Sequence, residues 1–219
     1  MIQDARKIRL IMELRQQGIS DTKVLSAIER VQRELFVSPN FVDQAYENTA
    51  LPIEEGQTIS QPYVVAFMTQ VLGVTPRMRV LEVGTGSGYQ AAVLARLCRR
   101  VFTIERYKTL LRLAEEKFRA ARINNIVTHL GDGARGWPDL APFDRIIVTA
   151  AAPEVPAALK EQLSDKGGIL IVPVGGDSQA QNILRIVRDG ETFKTEELLP
   201  IRFVPLVAGV VRDAKGSAT

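Results

Sequence analysis

From residue 79 onward the sequence alternates short apolar runs with helical segments, and this alternation most limits the folds open to the chain. The runs are apolar at consecutive positions, which is typical of strands that are buried on both faces of a parallel sheet. The predicted strands span 79–83, 101–105, 126–130, 145–149 and 169–174, and the predicted helices span 90–97, 107–121 and 154–163. We therefore predict an α/β fold with a mostly parallel central sheet and helices on both faces.

The two ends of the chain depart from this alternation. Segments 182–188 and 193–207 predict a pair of terminal antiparallel strands. Before residue 76, three helical patterns predict an N-terminal helical cap: one over 2–17, one capped by Ser20 or Asp21, and one that begins at Pro62. We divide the chain into a cap at 1–75 that does not fold independently, a Rossmann-like domain at 76–213 and a tail at 214–219.

Composition and charge exclude several classes of function. The 219 residues include 28 Lys and Arg against 25 Asp and Glu, interleaved along the chain, so the sequence does not predict a nucleic-acid partner. The chain has one cysteine, Cys98, and one histidine, His129, which excludes an intrachain disulfide and a metal site built from several of these residues. Neither a membrane span nor a signal peptide is predicted. We expect a cytoplasmic monomer with no metal and no membrane partner.

A glycine-rich loop joins the first strand of the sheet to the following helix. Gly84, Gly86 and Gly88 recur at every second position, which allows a sharp turn and the close approach of a ligand. The helix N-terminus beyond the loop favours an anionic group. The spacing G-x-G-x-G differs from the dinucleotide pattern G-x-G-x-x-G, and no Gly-Lys-Ser/Thr of a P-loop is present. The loop resembles the S-adenosylmethionine loop of class I methyltransferases; a tight turn without a ligand is the alternative.

Two acidic residues follow the next two strands. Glu105 ends the second strand, where a carboxylate can accept hydrogen bonds from both hydroxyls of a ribose. Asp132, in Gly131-Asp132-Gly133, ends the third strand and can accept from an adenine amino group. The alternatives are a solvated glutamate and an ordinary Asp-Gly turn. Together the two acids favour S-adenosylmethionine over NAD, because NAD enzymes need not have the second acid.

Further sequence blocks extend along nearly the whole chain. The most specific block is Gln57-Thr58-Ile59-Ser60-Gln61-Pro62-Tyr63, which precedes the first strand of the sheet. The other blocks are 50–53, the glycine loop at 82–89, 131–133, Thr149-Ala150-Ala151-Ala152-Pro153, 173–175 and 202–206. Together these blocks resemble the protein-L-isoaspartate (D-aspartate) O-methyltransferase family in its bacterial form.

The resemblance implies a repair enzyme that uses S-adenosylmethionine and releases S-adenosylhomocysteine. Its substrates are damaged polypeptides, in which it esterifies the free α-carboxyl group of an isoaspartyl residue. The ester then loses methanol to give a succinimide, which reopens partly to aspartate. By the same resemblance the catalytic serine is Ser60, and Thr58, Ser60, Val204, Pro205 and Leu206 bind the substrate. The implied cofactor-binding residues are Gln57, Thr58, Ile59, Ser60, Tyr63, Glu82, Gly84, Thr85, Gly86, Ser87, Gly88, Glu105, Arg106, Asp132 and Gly133.

The chemistry of this reaction suits a site without an obligatory histidine. The acceptor carboxylate is already anionic at pH 7, so the reaction needs positioning and the exclusion of water rather than a strong base. We expect the Ser60 hydroxyl to donate to one acceptor oxygen, with Thr58 on the same side of an extended segment. The alternative role for Ser60 is the N-cap of the helix that begins at Pro62.

Three other functions remain as alternatives. The first is an S-adenosylmethionine-dependent methyltransferase with another small-molecule or RNA acceptor. The small, apolar segment 149–153 lacks the Asn/Asp-Pro-Pro-Tyr/Phe pattern of enzymes that methylate amino groups of nucleic acids. The second is a dehydrogenase, which the glycine spacing disfavours. The third is a binding module without catalysis, in which Ser60 has only a packing role.

Overall fold

The structure is a computed structural model that describes residues 2–176 and 181–211. In those residues the helices are α1 (Ile2–Gln16), α2 (Thr22–Arg30), α3 (Pro62–Leu72), α4 (Tyr89–Ala95), α5 (Lys108–Ala120) and α6 (Ala157–Glu161). The strands are β1 (Leu51–Pro52), β2 (Thr58–Ile59), β3 (Arg79–Val83), β4 (Arg100–Glu105), β5 (Ile126–Leu130), β6 (Arg145–Val148), β7 (Lys166–Val174), β8 (Gln181–Asp189) and β9 (Thr192–Ile201).

Seven strands of the described chain form one sheet in the order β5-β4-β3-β6-β7-β8-β9. The first five strands of this order are parallel, whereas β8 is antiparallel to both β7 and β9. The chain order reverses beside β3, whose neighbours are β4 and β6. Ligands of open α/β sheets bind at such a reversal, outside the carboxyl ends of the strands.

Alternate side chains of each central strand point to opposite faces of the sheet, and both faces are covered. In β3, Val80 packs with residues of α2, α3, α4 and α5 on one face. Leu81 and Val83 pack on the other face with Leu159 of α6 and with Phe143. These side chains are buried, as expected for strands that are apolar on both sides. The predicted α/β class is therefore confirmed.

The N-terminal region packs on the first of these two faces. Leu14, Ile28 and Met68 are buried in the same apolar cluster as Val80 of the sheet. Asp21, rather than Ser20, caps α2, because its carboxylate accepts the N–H groups of Lys23 at 2.8 Å and Val24 at 3.2 Å. The dependence of this region on the sheet for folding stays a prediction.

The last strand is shorter than predicted: β9 ends at Ile201, not at residue 207. The side-chain amide of Gln181 holds the chain beyond it, accepting from the Phe203 N–H at 2.6 Å and donating to the Phe203 carbonyl at 3.3 Å. Residues 204–206 then pair with Ala151, just after β6, instead of continuing along β8. This crossing brings them to the carboxyl ends of the central strands. The predicted tail at 214–219 and the last residues of the 76–213 domain lie outside the described residues.

The helix predicted over 154–163 is also shorter, since α6 spans Ala157–Glu161 and follows Pro156. Across the helices that the structure describes, none combines the length and the apolar character needed to cross a bilayer.

Candidate active site

A cavity opens at the carboxyl ends of β3, β4 and β6, where the strand order reverses. The segment around β2 and the C-terminal segment 204–207 form its other walls. Most of the predicted site residues line it: Gln57, Thr58, Ile59, Ser60, Gly84, Thr85, Gly86, Ser87, Glu105, Arg106, Gly133, Val204, Pro205 and Leu206.

The glycine loop turns sharply between β3 and α4. Gly88 has φ +90°, and a Cβ placed there would lie 2.7 Å from Cε1 of Phe118 in α5. Glycine at this position therefore allows the loop to approach α5 closely. Thr149 holds the start of the loop, because its hydroxyl donates to the Gly84 carbonyl at 2.7 Å.

Most backbone N–H groups of the loop are already bonded within the protein. The N–H of Gly88 donates to the Thr85 carbonyl at 2.8 Å, and that of Tyr89 donates to the Ser87 hydroxyl at 3.2 Å. The N–H of Ser87 has no hydrogen-bond partner among the described residues, and Ser87 lines the cavity. The loop therefore offers fewer free donors than a helix N-terminus provides by default.

A buried chain of hydroxyl groups lies beneath the loop. Thr103 of β4 donates to Oε2 of Glu82 at 2.5 Å, and its hydroxyl lies 2.7 Å from that of Thr85. Glu82 is fully buried, and its Oε1 has no hydrogen-bond partner among the described residues. Burial raises the pKa of Glu82 to about 8, against the opposing effect of the Thr103 hydrogen bond. Glu82 is thus linked to the loop through the hydroxyl groups of Thr103 and Thr85.

Glu105 faces the cavity at the end of β4 and is itself buried. Its Oε1 accepts the N–H groups of Arg106 at 2.7 Å and Tyr107 at 3.0 Å, and its Oε2 accepts that of Gly86 at 2.8 Å. A carboxylate has about four acceptor positions. One position on Oε2 is left for a ligand, so the predicted contact with both ribose hydroxyls would require Glu105 to give up a backbone hydrogen bond.

The structure separates the two roles considered for Ser60. Gln61, not Ser60, is the N-cap residue of α3, and it makes no capping hydrogen bond. Instead, Oδ1 of Asn48 accepts the N–H of Tyr63 at 2.9 Å. The Ser60 hydroxyl makes no hydrogen bond to the described residues, is half-buried and lines the cavity. Ser60 is therefore free to contact a ligand.

Four predicted cofactor-binding residues do not line the cavity: Tyr63, Glu82, Gly88 and Asp132. The ring of Tyr63 packs against Phe67, with centroids 6.1 Å apart. Asp132 accepts the N–H of Ala134 at 3.0 Å, which is the Asp-Gly turn considered as its alternative. For these residues a direct contact with the cofactor stays a prediction.

The C-terminal segment lines the cavity at residues 204–207 and is held by hydrogen bonds to Ala151 and Arg106. Ala151 donates to the Val204 carbonyl at 2.8 Å, and Leu206 donates to the Ala151 carbonyl at 2.7 Å. Further along, Nε of Arg106 donates to the Gly209 carbonyl at 3.2 Å, and the Arg106 carbonyl accepts from Val211 at 3.1 Å. These contacts hold an apolar wall of the cavity that Ser60 also lines.

Sequence reasoning missed several residues that line the cavity, among them Val65, Tyr89, Gln90, Ile104, Tyr107, Leu110, Thr149, Ala150 and Val207. Topology could have indicated Thr149 and Ala150, because they follow β6 at the carboxyl edge of a parallel sheet. Tyr89 and Gln90 begin the helix after the glycine loop, which is also a position that ligands contact. Within the described residues, no group of three or more His, Cys, Asp or Glu could hold a metal ion.

The reversal in strand order, the G-x-G-x-G spacing of the glycine loop and the acid at the end of β4 fit a class I methyltransferase that uses S-adenosylmethionine. Comparison with known proteins agrees with this class. The family model described as protein-L-isoaspartate(D-aspartate) O-methyltransferase matches residues 5–211. The chain belongs to that family, which confirms the resemblance of its sequence motifs and disfavours the dehydrogenase alternative.

Named relatives cover almost the full chain. A protein-L-isoaspartate O-methyltransferase of Parvibaculum lavamentivorans is 62% identical over 213 residues, 96% of each chain. One from Rhodospirillum rubrum is 60% identical over 216 residues, 97% of this chain and 98% of the relative. A Plasmodium falciparum structure of the same family, in complex with S-adenosyl-L-homocysteine, superposes with a TM-score of 0.79 at 26% identity. That match covers 91% of this chain and 97% of the Plasmodium chain.

Proposed function

We propose that this chain transfers the methyl group of S-adenosylmethionine to the free α-carboxyl group of L-isoaspartyl residues in damaged polypeptides. The observation that carries the proposal is the placement of Ser60: its uncommitted hydroxyl shares one cavity with Glu105 and the glycine loop. Family membership supplies the acceptor class. The resulting methyl ester would lose methanol to form a succinimide, which reopens partly to aspartate.

The cavity offers one hydrogen-bond acceptor and one donor that suit the cofactor. Glu105 keeps one free acceptor position on Oε2 for a ribose hydroxyl, and Ser87 keeps one free N–H for the methionine carboxylate. The loop face is open at Gly86, where an added Cβ would meet only Cδ1 of Ile53, at 3.8 Å. S-adenosylmethionine, when bound, supplies a methyl group activated by a sulfonium.

Ser60 and Thr58 would orient the acceptor carboxylate. Both line the cavity beside the apolar segment 204–206, which would contact the peptide around the isoaspartyl residue. The Ser60 hydroxyl would donate to one carboxylate oxygen and leave the other directed at the methyl group. No histidine or lysine is among the described residues that line the cavity, and an anionic acceptor needs no general base. Orientation of the reactants can contribute about 7–11 kcal/mol.

Methyl transfer from labelled S-adenosylmethionine to a short isoaspartyl peptide tests this function, with the matching aspartyl peptide as control. We expect label on the isoaspartyl peptide only, in a base-labile form that releases methanol. Label on neither peptide, with S-adenosylhomocysteine still bound in calorimetry, would favour the alternative of another small-molecule or RNA acceptor.

The cellular setting is proposed from the sequence. We propose a cytoplasmic monomer with neither nucleic-acid nor membrane partners, supported by the single cysteine, which is buried, and by the interleaved surface charges. Light scattering coupled to size-exclusion chromatography tests the monomer, for which we expect the 24.2 kDa of one chain.

A further inference from the structure

Arg33 is fully buried, and within the described residues no carboxylate forms an ion pair with it. It lies in a 3-10 turn, Arg33–Leu35, between α2 and the connector that leads to β1. No described carboxylate lies within ion-pair distance of its guanidinium, and its Nε and Nη1 make no hydrogen bond. Burial lowers the pKa of Arg33 as a result. An unpaired buried charge is unfavourable for folding, so its presence indicates a function that compensates for the cost.

The guanidinium contacts Ser60, Tyr89 and Thr49. Its Nη2 donates to the backbone carbonyl of Ser60 at 2.9 Å. Its Cζ lies 4.6 Å from the centroid of the Tyr89 ring, within the range of a cation–π interaction. The same Nη2 also lies 3.5 Å from the carbonyl oxygen of Thr49.

The contacts with Ser60 and Tyr89 connect two segments that line the cavity. Ser60 belongs to the wall formed by the segment around β2, whereas Tyr89 is the first residue of α4 and follows the glycine loop. Arg33 does not line the cavity itself. A planar guanidinium can stack on a ring and donate from its edge at the same time, which a lysine ammonium cannot do with the same geometry.

We propose that Arg33 is a positioning residue for methyl transfer: it fixes Ser60 relative to the end of the glycine loop that Tyr89 marks. Through this contact the Ser60 hydroxyl stays aligned with the acceptor carboxylate. The inference rests on the proposed function, since it assigns Arg33 a role that acts through Ser60.

Kinetics of Arg33→Met and Arg33→Lys test the proposal. Misalignment by about 1 Å can slow a reaction by about a hundredfold, so we expect kcat of Arg33→Met to fall by at least tenfold. Arg33→Lys keeps the charge and can still donate to the Ser60 carbonyl but lacks the planar guanidinium, so its kcat should lie between those of Arg33→Met and the wild type. The KM for S-adenosylmethionine should change less than about threefold, because Arg33 donates its hydrogen bond to Ser60 and touches the loop side only through the Tyr89 ring.

A double-variant cycle separates positioning from general destabilisation. If Arg33 acts through Ser60, adding Arg33→Met to Ser60→Ala should slow the enzyme by less than about twofold beyond Ser60→Ala alone. Additive losses would overturn the proposal. Arg145→Met is the matched control: Arg145 also donates to backbone carbonyls, those of Gly73, Asp144 and Gly167, but at the amino end of β6, away from the cavity. We expect Arg145→Met to lower Tm, and its effect on kcat to be the same with and without Ser60→Ala.

Amide hydrogen exchange gives a readout that does not depend on the acceptor. We expect faster exchange of residues 57–63 in Arg33→Met, with the central strands unchanged. Suppose that exchange is faster in Arg33→Met but the wild type does not methylate isoaspartyl peptides. The proposed function would then be overturned, whereas the positioning contact would stand. Unchanged exchange in this segment would overturn the role of Arg33. If Arg33→Met does not fold, Arg33→Lys decides the question by the same two measurements.

Discussion

The carboxylate of Glu105 accepts the backbone N–H of Gly86 at 2.8 Å, so the acid at the end of β4 holds the middle of the glycine loop. Its other oxygen accepts the N–H groups of Arg106 and Tyr107. One buried side chain therefore shapes the loop and also faces the cavity. Loop geometry and cofactor affinity should then respond together to a change at this position.

Glu105→Gln is expected to weaken the binding of S-adenosylhomocysteine by about tenfold or more and to lower Tm. A glutamine amide has one acceptor oxygen, so its NH₂ group must face at least one of the three backbone N–H donors, which leaves a buried donor unpaired. Isothermal titration calorimetry and thermal unfolding measure the two effects. Glu116→Gln is the control, because Glu116 is exposed and pairs with Arg112 on the surface of α5. Wild-type affinity in Glu105→Gln would contradict the role of the loop contact.

Ser60→Ala is expected to lower kcat by about ten- to a hundredfold and to leave the affinity for S-adenosylhomocysteine within about threefold. The hydroxyl is proposed to orient the acceptor, and loss of one orienting contact affects chemistry more than cofactor binding. Initial rates with the isoaspartyl peptide and calorimetry test this pair of values. Ser38→Ala is the control, since Ser38 is also half-buried but does not line the cavity. A Ser60→Ala enzyme with normal turnover would remove Ser60 from the mechanism.

The buried carboxyl of Glu82 should make stability depend on pH. Its pKa is about 8 in the folded protein and near 4.5 when unfolded, so the unfolded state loses its proton first. The stability contributed by the neutral carboxyl is complete below pH 4.5 and is lost as pH rises through 8. Over this window the free energy of unfolding should fall by up to about 1.4 kcal/mol per pH unit from this group.

Urea unfolding of Glu82→Gln at several pH values isolates this contribution, because glutamine cannot ionise. We expect a shallower decline between pH 5 and 8 than in the wild type. The matched control is Glu115→Gln: Glu115 accepts the Thr128 hydroxyl at 2.5 Å, as Glu82 accepts that of Thr103, but it is only half-buried. Parallel wild-type and Glu82→Gln profiles would show that Glu82 is ionised in the folded protein.

The central strands were predictable from sequence because strands buried on both faces are apolar at consecutive positions, whereas an amphipathic helix is apolar at every third or fourth position. The end of β9 was not, because it depends on the side chain of Gln181 bonding to Phe203 across the sheet. The role of Ser60 was ambiguous for a similar reason: the side chain that accepts a backbone N–H at the start of α3 is that of Asn48, which is distant in sequence. Arg33 follows a helix in a polar stretch, where a charged residue is ordinarily exposed, so only its tertiary contacts indicate a role.

Gly88→Ala should lower the free energy of unfolding by more than the strain of an alanine at positive φ alone, because the added Cβ would also collide with Phe118. Gly88 and Gly190 have φ +90° and +61°, but a Cβ at Gly88 would lie 2.7 Å from Phe118, whereas Gly190 has open space around it. Because overpacking costs about 1–3 kcal/mol, we expect Gly88→Ala to exceed Gly190→Ala by about that amount in urea unfolding. Adding Phe118→Leu should recover part of the difference, since a smaller side chain leaves room for the methyl group. Equal losses in the two alanine variants would mean that strain, rather than the contact between the loop and α5, determines the choice of glycine.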